Sequence, residues 1–398
     1  MKNFKYIDNK EEYGIDIDWK MIFSEYKKLH PPKEVYDPTT VPIGSAKYFQ
    51  LLSERSSGKT TNWLIIGILL YKHYGIITQY IRQVEDMIKP SVAGEIFKVI
   101  INYGDGKYIR WITDGKYNSI YIHWKKAYLC KVDDDGKIVE QDNNHFLQFL
   151  SIDNSYNYKS GYNAPTGDLI LFDEFIGKSY RPNEYVDFMD LLSTIIRKRK
   201  SPIVVMLSNG INLHSTYFSE FEISKEVKAL KVGQSKTITT EKGTRIYVEL
   251  IGTKQTAIKT EINRLFFGFK NPRLASITGG EQTWSFDPVP HIVNAETDVY
   301  INRKLRLRYE DELIQLDVVK TEDRGLVVNA HPCKNIYDDS IILTVGEIRN
   351  RREFYGLGKG KLCETVWKLY KENKWYYDTN ETGSVVTTYL RTLKMNRI

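Results

Sequence analysis

The run Ser53-Glu54-Arg55-Ser56-Ser57-Gly58-Lys59-Thr60 ends in Gly-Lys-Thr and separates a short apolar stretch from a helical one. It fits G-x-x-x-x-G-K-[ST] except at its first position, where serine replaces glycine. The retained residues are the ones that phosphate chemistry needs. Gly58 lets the backbone curl so that N–H groups face phosphate oxygens at a helix N-terminus. Lys59 places a positive charge on the β- and γ-phosphates, and the Thr60 hydroxyl completes a magnesium shell. Ser53 through Thr61 are therefore candidate contacts to ATP, with Mg2+ as its companion ion. Further on, Leu169-Ile170-Leu171-Phe172 ends in Asp173-Glu174. A buried strand that delivers acid at its C-terminal end suits a magnesium–nucleotide site. Asp173 would hold the metal, and Glu174 would act as general base on the attacking water.

Two further groups carry more than one reading. Val204-Val205-Met206-Leu207-Ser208 is a second buried strand pattern that ends at Asn209. A strand-end amide can orient water or sense a γ-phosphate, but Asn209-Gly210 is also a common turn. Arg197-Lys198-Arg199-Lys200 closes a helical pattern. Basic residues suit a helix C-terminus, and Arg197 could equally be an arginine finger reaching a neighbouring subunit's nucleotide. The sequence leaves both open.

The elements that must hold these groups alternate between strands and helices, which predicts an α/β sheet. Strands are expected at Tyr48–Leu52, Ile76–Arg82, Asp168–Phe172 and Pro202–Leu207. Helices are expected at Trp19–Leu29, Lys59–His73, Glu85–Ile101 and Glu184–Arg199, and hairpins within 107–150. The patterning divides the chain into an N-terminal extension (1–45), an α/β domain with the phosphate loop (46–224), a basic linker or small subdomain with glycine breaks (225–285) and a C-terminal domain (286–398). In the last part, strands are expected at Val299–Leu307, Leu313–Val319, Gly325–Asn329 and Ser340–Val345, followed by helices.

Composition narrows the class. The chain has 398 residues, 41% of them hydrophobic and 27% charged, which is enough apolar material for packed domains. No apolar run has the length of a membrane span, and the N-terminus lacks the pattern of a secretory signal, so the chain reads as soluble and intracellular. Three dispersed cysteines argue against a disulfide framework or a cysteine-built zinc site. The seven histidines show no metal-ligand spacing. The net charge of +7 is not spread evenly: residues 1–224 are neutral, with 28 basic and 28 acidic residues, and residues 225–273 carry 11 basic against 4 acidic. That stretch fits a solvated linker face or a nucleic-acid backbone contact, with Lys231, Lys236 and Lys254 as candidate contacts.

The blocks Gly58-Lys59-Thr60, Gln79-Tyr80-Ile81-Arg82, Phe172-Asp173-Glu174-Phe175-Ile176, Pro182-Asn183-Glu184, Leu191 through Arg199 and Leu207-Ser208-Asn209 occur in one order over residues 46–220. In this the chain resembles the DNA-packaging ATPases of small short-tailed phages (the phi-29 type), relatives of the large terminases. The resemblance implies a P-loop ATPase domain of the ASCE type with a mostly parallel sheet, then a lid and a smaller α+β domain of ribonuclease-H-like, vestigial-nuclease kind. It implies that Lys59 and Thr60 meet phosphate and magnesium, Asp173 the metal, and that Glu174 is the base. Arg197 aligns with a finger acting in trans, Asn209 with a coupling residue, and Arg55 and Arg82 with arginines near the nucleotide. The implied assembly is a homopentameric ring that moves double-stranded DNA at the capsid portal, directly or through a structural RNA. It would work in the host cytoplasm while docked on the procapsid, without a membrane. Two competing readings remain: a terminase with a working nuclease built on carboxylates such as Asp298 and Asp317, and an assembly protein that uses ATP as a switch.

Overall fold

The computed structural model describes residues 14–30, 36–53, 57–102, 107–158, 166–176, 183–209, 215–252, 299–322, 324–372 and 374–395. The chain divides into two compact units: residues 1–177, 183–209 and 219–256 form one, and 178–182, 210–218 and 257–398 the other. Glu54, Arg55, Ser56 and Lys254 lie outside the described residues.

Up to residue 158 the elements are α1 (Trp19–Lys28), β1 (Tyr48–Leu52), α2 (Lys59–Tyr74), β2 (Thr78–Arg82), α3 (Pro90–Ala93), α4 (Glu95–Asn102), α5 (Lys107–Ile112), β3 (Ser119–His123), β4 (Lys126–Val132), β5 (Ile138–Ser151) and α6 (Ser155–Tyr158). Then follow β6 (Leu169–Asp173), α7 (Glu184–Ile196), β7 (Ile203–Ser208), α8 (Thr216–Glu220), α9 (Ser224–Ala229), β8 (Ser235–Thr239) and β9 (Arg245–Leu250). The nine strands form one sheet in the order β3-β4-β5-β2-β6-β7-β1-β9-β8. From β5 through β9 in that order, neighbouring strands run parallel, and antiparallel strands flank them. β7 therefore stands between β1, which feeds the phosphate loop, and β6, which ends in carboxylates. That extra strand is the arrangement expected of an ASCE-type domain.

Burial explains these elements. All of β6 and β7 is buried, as parallel strands covered on both faces must be, so each reads as a continuous apolar run. In α2 every residue from Asn62 to Leu70 is buried, so this helix is apolar all round and runs through the core. Glycines in the left-handed region cap it at both ends: Gly58 at φ 78° and Gly75 at φ 66°, where the Gly75 N–H closes on the Tyr71 carbonyl. α1 adds Ile22 and Tyr26 to the same core.

The structure departs from the sequence expectations at three places. The helix expected over Glu85–Ile101 is a 3₁₀ turn followed by α3 and α4, because Pro90 holds Lys89 in extended backbone (ψ 143°) and Gly94 interrupts the next turn. The helix expected to reach Arg199 stops at Ile196, where Arg197 turns to φ 49°, ψ −120°. Part of the basic stretch read as a linker is sheet: β9 lies parallel to β1, and its apolar residues Ile246, Val248 and Leu250 are buried.

The second unit holds β10 (Val299–Tyr309), β11 (Glu312–Thr321), β12 (Gly325–Pro332), β13 (Ile341–Thr344), β14 (Glu353–Tyr355), α10 (Lys361–Lys371), β15 (Trp375–Tyr377) and α11 (Asn380–Met395). The strand order is β14-β13-β10-β11-β12-β15, with an antiparallel β10-β11-β12 meander and parallel pairs outside it. One sheet face packs Leu305, Leu316, Val328 and Leu343 with Trp367 and Tyr389 from the helices. Among the described residues, no helix is long and apolar enough to cross a membrane.

The seat of α2 on the sheet depends on one absent methyl. A Cβ on Gly67 would stand 2.5 Å from Thr78 Oγ1 on β2. Overpacking costs about 1–3 kcal/mol, against about 1 kcal/mol that alanine gains over glycine within a helix. We expect Gly67→Ala to lower the urea midpoint and Gly67→Ala/Thr78→Ala to recover part of the loss. A single variant as stable as the parent would refute the contact.

Candidate active site

Four strand ends meet at one edge of the large sheet, because the register sets Ile81 beside Phe172, Asp173 beside Leu207, and Ser208 beside Leu52. The phosphate loop leaves from this edge, tied to it by the Ser53 N–H on the Ser208 carbonyl (3.2 Å). Lys59 is buried, and its Nζ donates to Ser53 Oγ, to Ser57 Oγ (3.1 Å) and to Asn209 Oδ1 (3.0 Å). Ser53 and Ser57 share a hydrogen bond of 2.8 Å. The serine in place of the usual first glycine thus supplies an oxygen to the lysine. Burial lowers the Lys59 ammonium to about 7, against the upward pull of Asp173 and Glu174.

The carboxylates are held from several sides. Asp173 is buried; its Oδ1 accepts from Thr60 Oγ1 (3.1 Å) and from the Glu174 N–H (3.1 Å). Its Oδ2 accepts from the Tyr80 hydroxyl (2.6 Å) and from Arg82 Nη1 (3.0 Å). The other arm of the same guanidinium, Nη2, donates to Glu174 Oε2 at 2.7 Å. Glu174 itself adopts φ 53°, a left-handed conformation that a non-glycine residue holds only under local constraint. Directly after β2, Gln83 Nε2 donates to the Phe175 carbonyl (3.1 Å) and to Glu184 Oε1 (3.0 Å) at the start of α7. Thr60 and Asp173 offer hard oxygen donors in contact with each other, a donor set that fits magnesium.

Of the residues singled out in the sequence, Ser53, Ser57, Gly58, Lys59, Thr60, Arg82, Asp173, Glu174 and Asn209 come together here, with Thr61 partly buried on the first turn of α2. Arg197 does not join them. It is exposed at the C-terminal end of α7, near the start of β7 and so at the opposite sheet edge, about 20 Å away by strand length. Its Nε donates to the Thr194 carbonyl (3.2 Å). Lys231 and Lys236 are exposed before and on β8. Sequence reasoning assigned no role to Tyr80, Gln83 or Glu184. The alternation of β2 could have exposed Tyr80, which shares a strand face with Arg82.

In the second unit the described carboxylates considered for a nuclease form no metal-holding group. Asp317 is buried, bonded to His331 Nε2 (3.1 Å) and paired with Arg303 (3.4 Å). Asp338 pairs with Arg352 and Asp339 with Lys304. Asp298 lies outside the described residues. Among the described residues no group of three or more His, Cys, Asp or Glu side chains is placed to hold a metal ion.

The depressed Lys59 gives nucleotide binding a pH dependence. Phosphate oxygens beside the ammonium favour its charged form, so binding takes up a proton wherever free Lys59 is deprotonated. Affinity for ATP should be highest below pH 7 and fall by up to about tenfold per unit above it. Calorimetry in buffers of different ionisation enthalpy would read the proton uptake. Equal affinity at pH 6.5 and pH 9 would contradict this.

No protein-family model and no curated protein matches the chain. Solved structures similar to it include phage packaging proteins. The Phi-28 DNA packaging motor is 18% identical with a TM-score of 0.47, over 91% of this chain and 99% of that one. The bacteriophage Phi-29 genome packaging motor assembly is 16% identical with a TM-score of 0.48, over 91% and 100%. A Thermus phage large terminase ATPase domain is 14% identical with a TM-score of 0.33, over 67% and 98%. At these values the strand order and the site geometry carry the assignment of the fold, and the likenesses do not extend to activity.

Proposed function

We propose that the chain is a magnesium-dependent ATPase that drives double-stranded DNA into a viral procapsid as a ring of identical subunits. The observation that carries this reading is the Thr60–Asp173 contact beside buried Lys59, with Glu174 next on the strand. That is a complete set of groups for moving a γ-phosphoryl to water. Glu174 accepts a proton from the attacking water, a bond forms from the water oxygen to the γ-phosphorus, and the bond to the bridging oxygen of ADP breaks. Lys59 holds the phosphate oxygens, and Asn209, which bonds the same ammonium, senses whether phosphate has claimed it. Thr60 and Asp173 would hold a magnesium ion, which would supply positive charge for the departing diphosphate. In this structure Arg82 binds Glu174 through Oε2, so the base acts through Oε1 or exchanges that contact.

Arg197 is exposed at the sheet edge opposite its own phosphate loop, which supports a role at the site of an adjoining subunit and hence the ring. By the resemblance above, the ring is a pentamer at the portal, in the host cytoplasm, with a structural RNA as one way of docking. Exposed Lys231 and Lys236 support contact with the DNA backbone rather than with base edges. The same resemblance gives the second unit a ribonuclease-H-like descent, which its strand order supports.

Two outcomes test the proposal. Glu174→Gln and Arg197→Ala chains should each lose most hydrolysis alone and regain part of it when mixed, because mixed interfaces pair an intact base with an intact finger. No recovery at any ratio would exclude a finger in trans. Lys231→Ala/Lys236→Ala should weaken DNA binding and reduce the slope of log affinity against log salt by about two; an unchanged slope would remove these lysines from the interface.

A further inference from the structure

Arg197 sits in a turn that the rest of the unit holds with unusual thoroughness. Asp168, directly before β6, is fully buried. Its Oδ2 accepts from Arg199 Nη1 at 2.7 Å, and its Oδ1 accepts from the Ser201 hydroxyl. The Arg199 guanidinium is nearly buried too, and its Nη2 donates to the Ile195 carbonyl (2.7 Å) at the end of α7 and to the Gly167 carbonyl (3.2 Å). Ser201 Oγ receives the Ile15 N–H at 3.2 Å, and the Lys47 ammonium caps the Lys200 carbonyl. Burial pushes the Asp168 carboxyl up, while Arg199, Ser201 and Lys47 pull it back toward the ionised form.

A buried ion pair is a weak source of stability, because desolvating two charges cancels most of their attraction. What this one provides is a single geometry. Arg197 lies between α7 and the clamp at φ 49°, ψ −120°, a backbone conformation that a non-glycine residue keeps only where its surroundings over-determine it. The clamp is also referenced to the chemistry. Asp168 and Asp173 stand at opposite ends of β6, and Leu169 through Phe172 between them are fully buried. At about 3.3 Å per residue, that strand fixes an offset of roughly 17 Å between the carboxylates of one site and the clamp that steers the outgoing arginine.

We propose that the Asp168–Arg199 pair is a positioning device for Arg197, holding the turn after α7 in the one conformation that presents its guanidinium to the nucleotide of the adjoining subunit. This rests on Arg197 acting in trans, as proposed above. Asp168 and Arg199 are positioning residues and touch no substrate.

The test uses the full chain assembled as it works, with hydrolysis and binding of a fluorescent ATP analogue measured side by side. Asp168→Asn should slow hydrolysis at least tenfold, as Arg197→Ala should, with nucleotide affinity unchanged within twofold. Mixed with Glu174→Gln it should regain activity, since its own site is intact and receives a well-placed arginine from its neighbour. Asp168→Asn/Arg197→Ala should be no slower than Arg197→Ala alone. Full hydrolysis by Asp168→Asn beside a slow Arg197→Ala would overturn the proposal, as would a double variant whose losses multiply. Full hydrolysis by Arg197→Ala would instead remove the finger itself. Should Asp168→Asn fail to bind nucleotide, Ser201→Ala, which removes one bond and leaves the ion pair, decides by the same mixing experiment: a loss rescued by Glu174→Gln supports the clamp, and full activity overturns it.

Discussion

Two neighbouring carboxylates at the end of a buried strand repel each other, and the buried one, Asp173, also loses solvation, so a positive group between them is strongly favoured. Here that group is the Arg82 guanidinium, whose planar fork gives one arm to Asp173 and the other to Glu174. The rest of the site follows from this arrangement. β2 must lie next to β6 to deliver the arginine, which fixes the order of the central strands. Tyr80 must share the strand face of Arg82 to reach the remaining lone pair on Asp173. Gln83 then ties the same strand end to the start of α7. An arginine suits the place better than a lysine, because a point charge could not serve both oxygens along fixed directions.

The central strands and α2 were legible in the sequence because they are buried on all sides, and continuous apolar runs leave little choice of register. The motif residues were legible for a different reason: Gly58, Lys59, Asp173 and Glu174 each have a chemical requirement that few residue types meet. What stayed hidden depends on partners distant in sequence. Nothing near Arg82 shows that it will bridge two acids about ninety positions away, and nothing near Asp168 shows that Arg199 will reach it. β9 was hidden because lysines and glycines around it mask a short apolar alternation that matters only beside β1. The break at Pro90 was visible as a residue, and the amphipathic pattern on either side concealed its effect.

Serine at the first position of the phosphate loop illustrates how a departure from a motif can be chemically productive. Glycine there would leave the Lys59 ammonium with one fewer oxygen in a buried setting. With Ser53, Ser57 and Asn209 around it, the ammonium is hydrogen-bonded before any phosphate arrives, and a ligand must exchange these contacts for its own. Affinity for nucleotide is then a difference between two well-satisfied states rather than the filling of an unsatisfied one.

The smaller sheet carries its own electrostatic signature. β10 turns Arg306 and Arg308 to one face in alternate positions, both buried; Arg308 is balanced by Glu353, and Arg306 meets the Ser340 hydroxyl, the Lys304 carbonyl and the ring of Tyr337. Arg308 is thus neutral as a pair, and Arg306 spreads its charge over neutral oxygens and a ring, so losing Glu353 would leave the Arg308 guanidinium buried without its counter-charge.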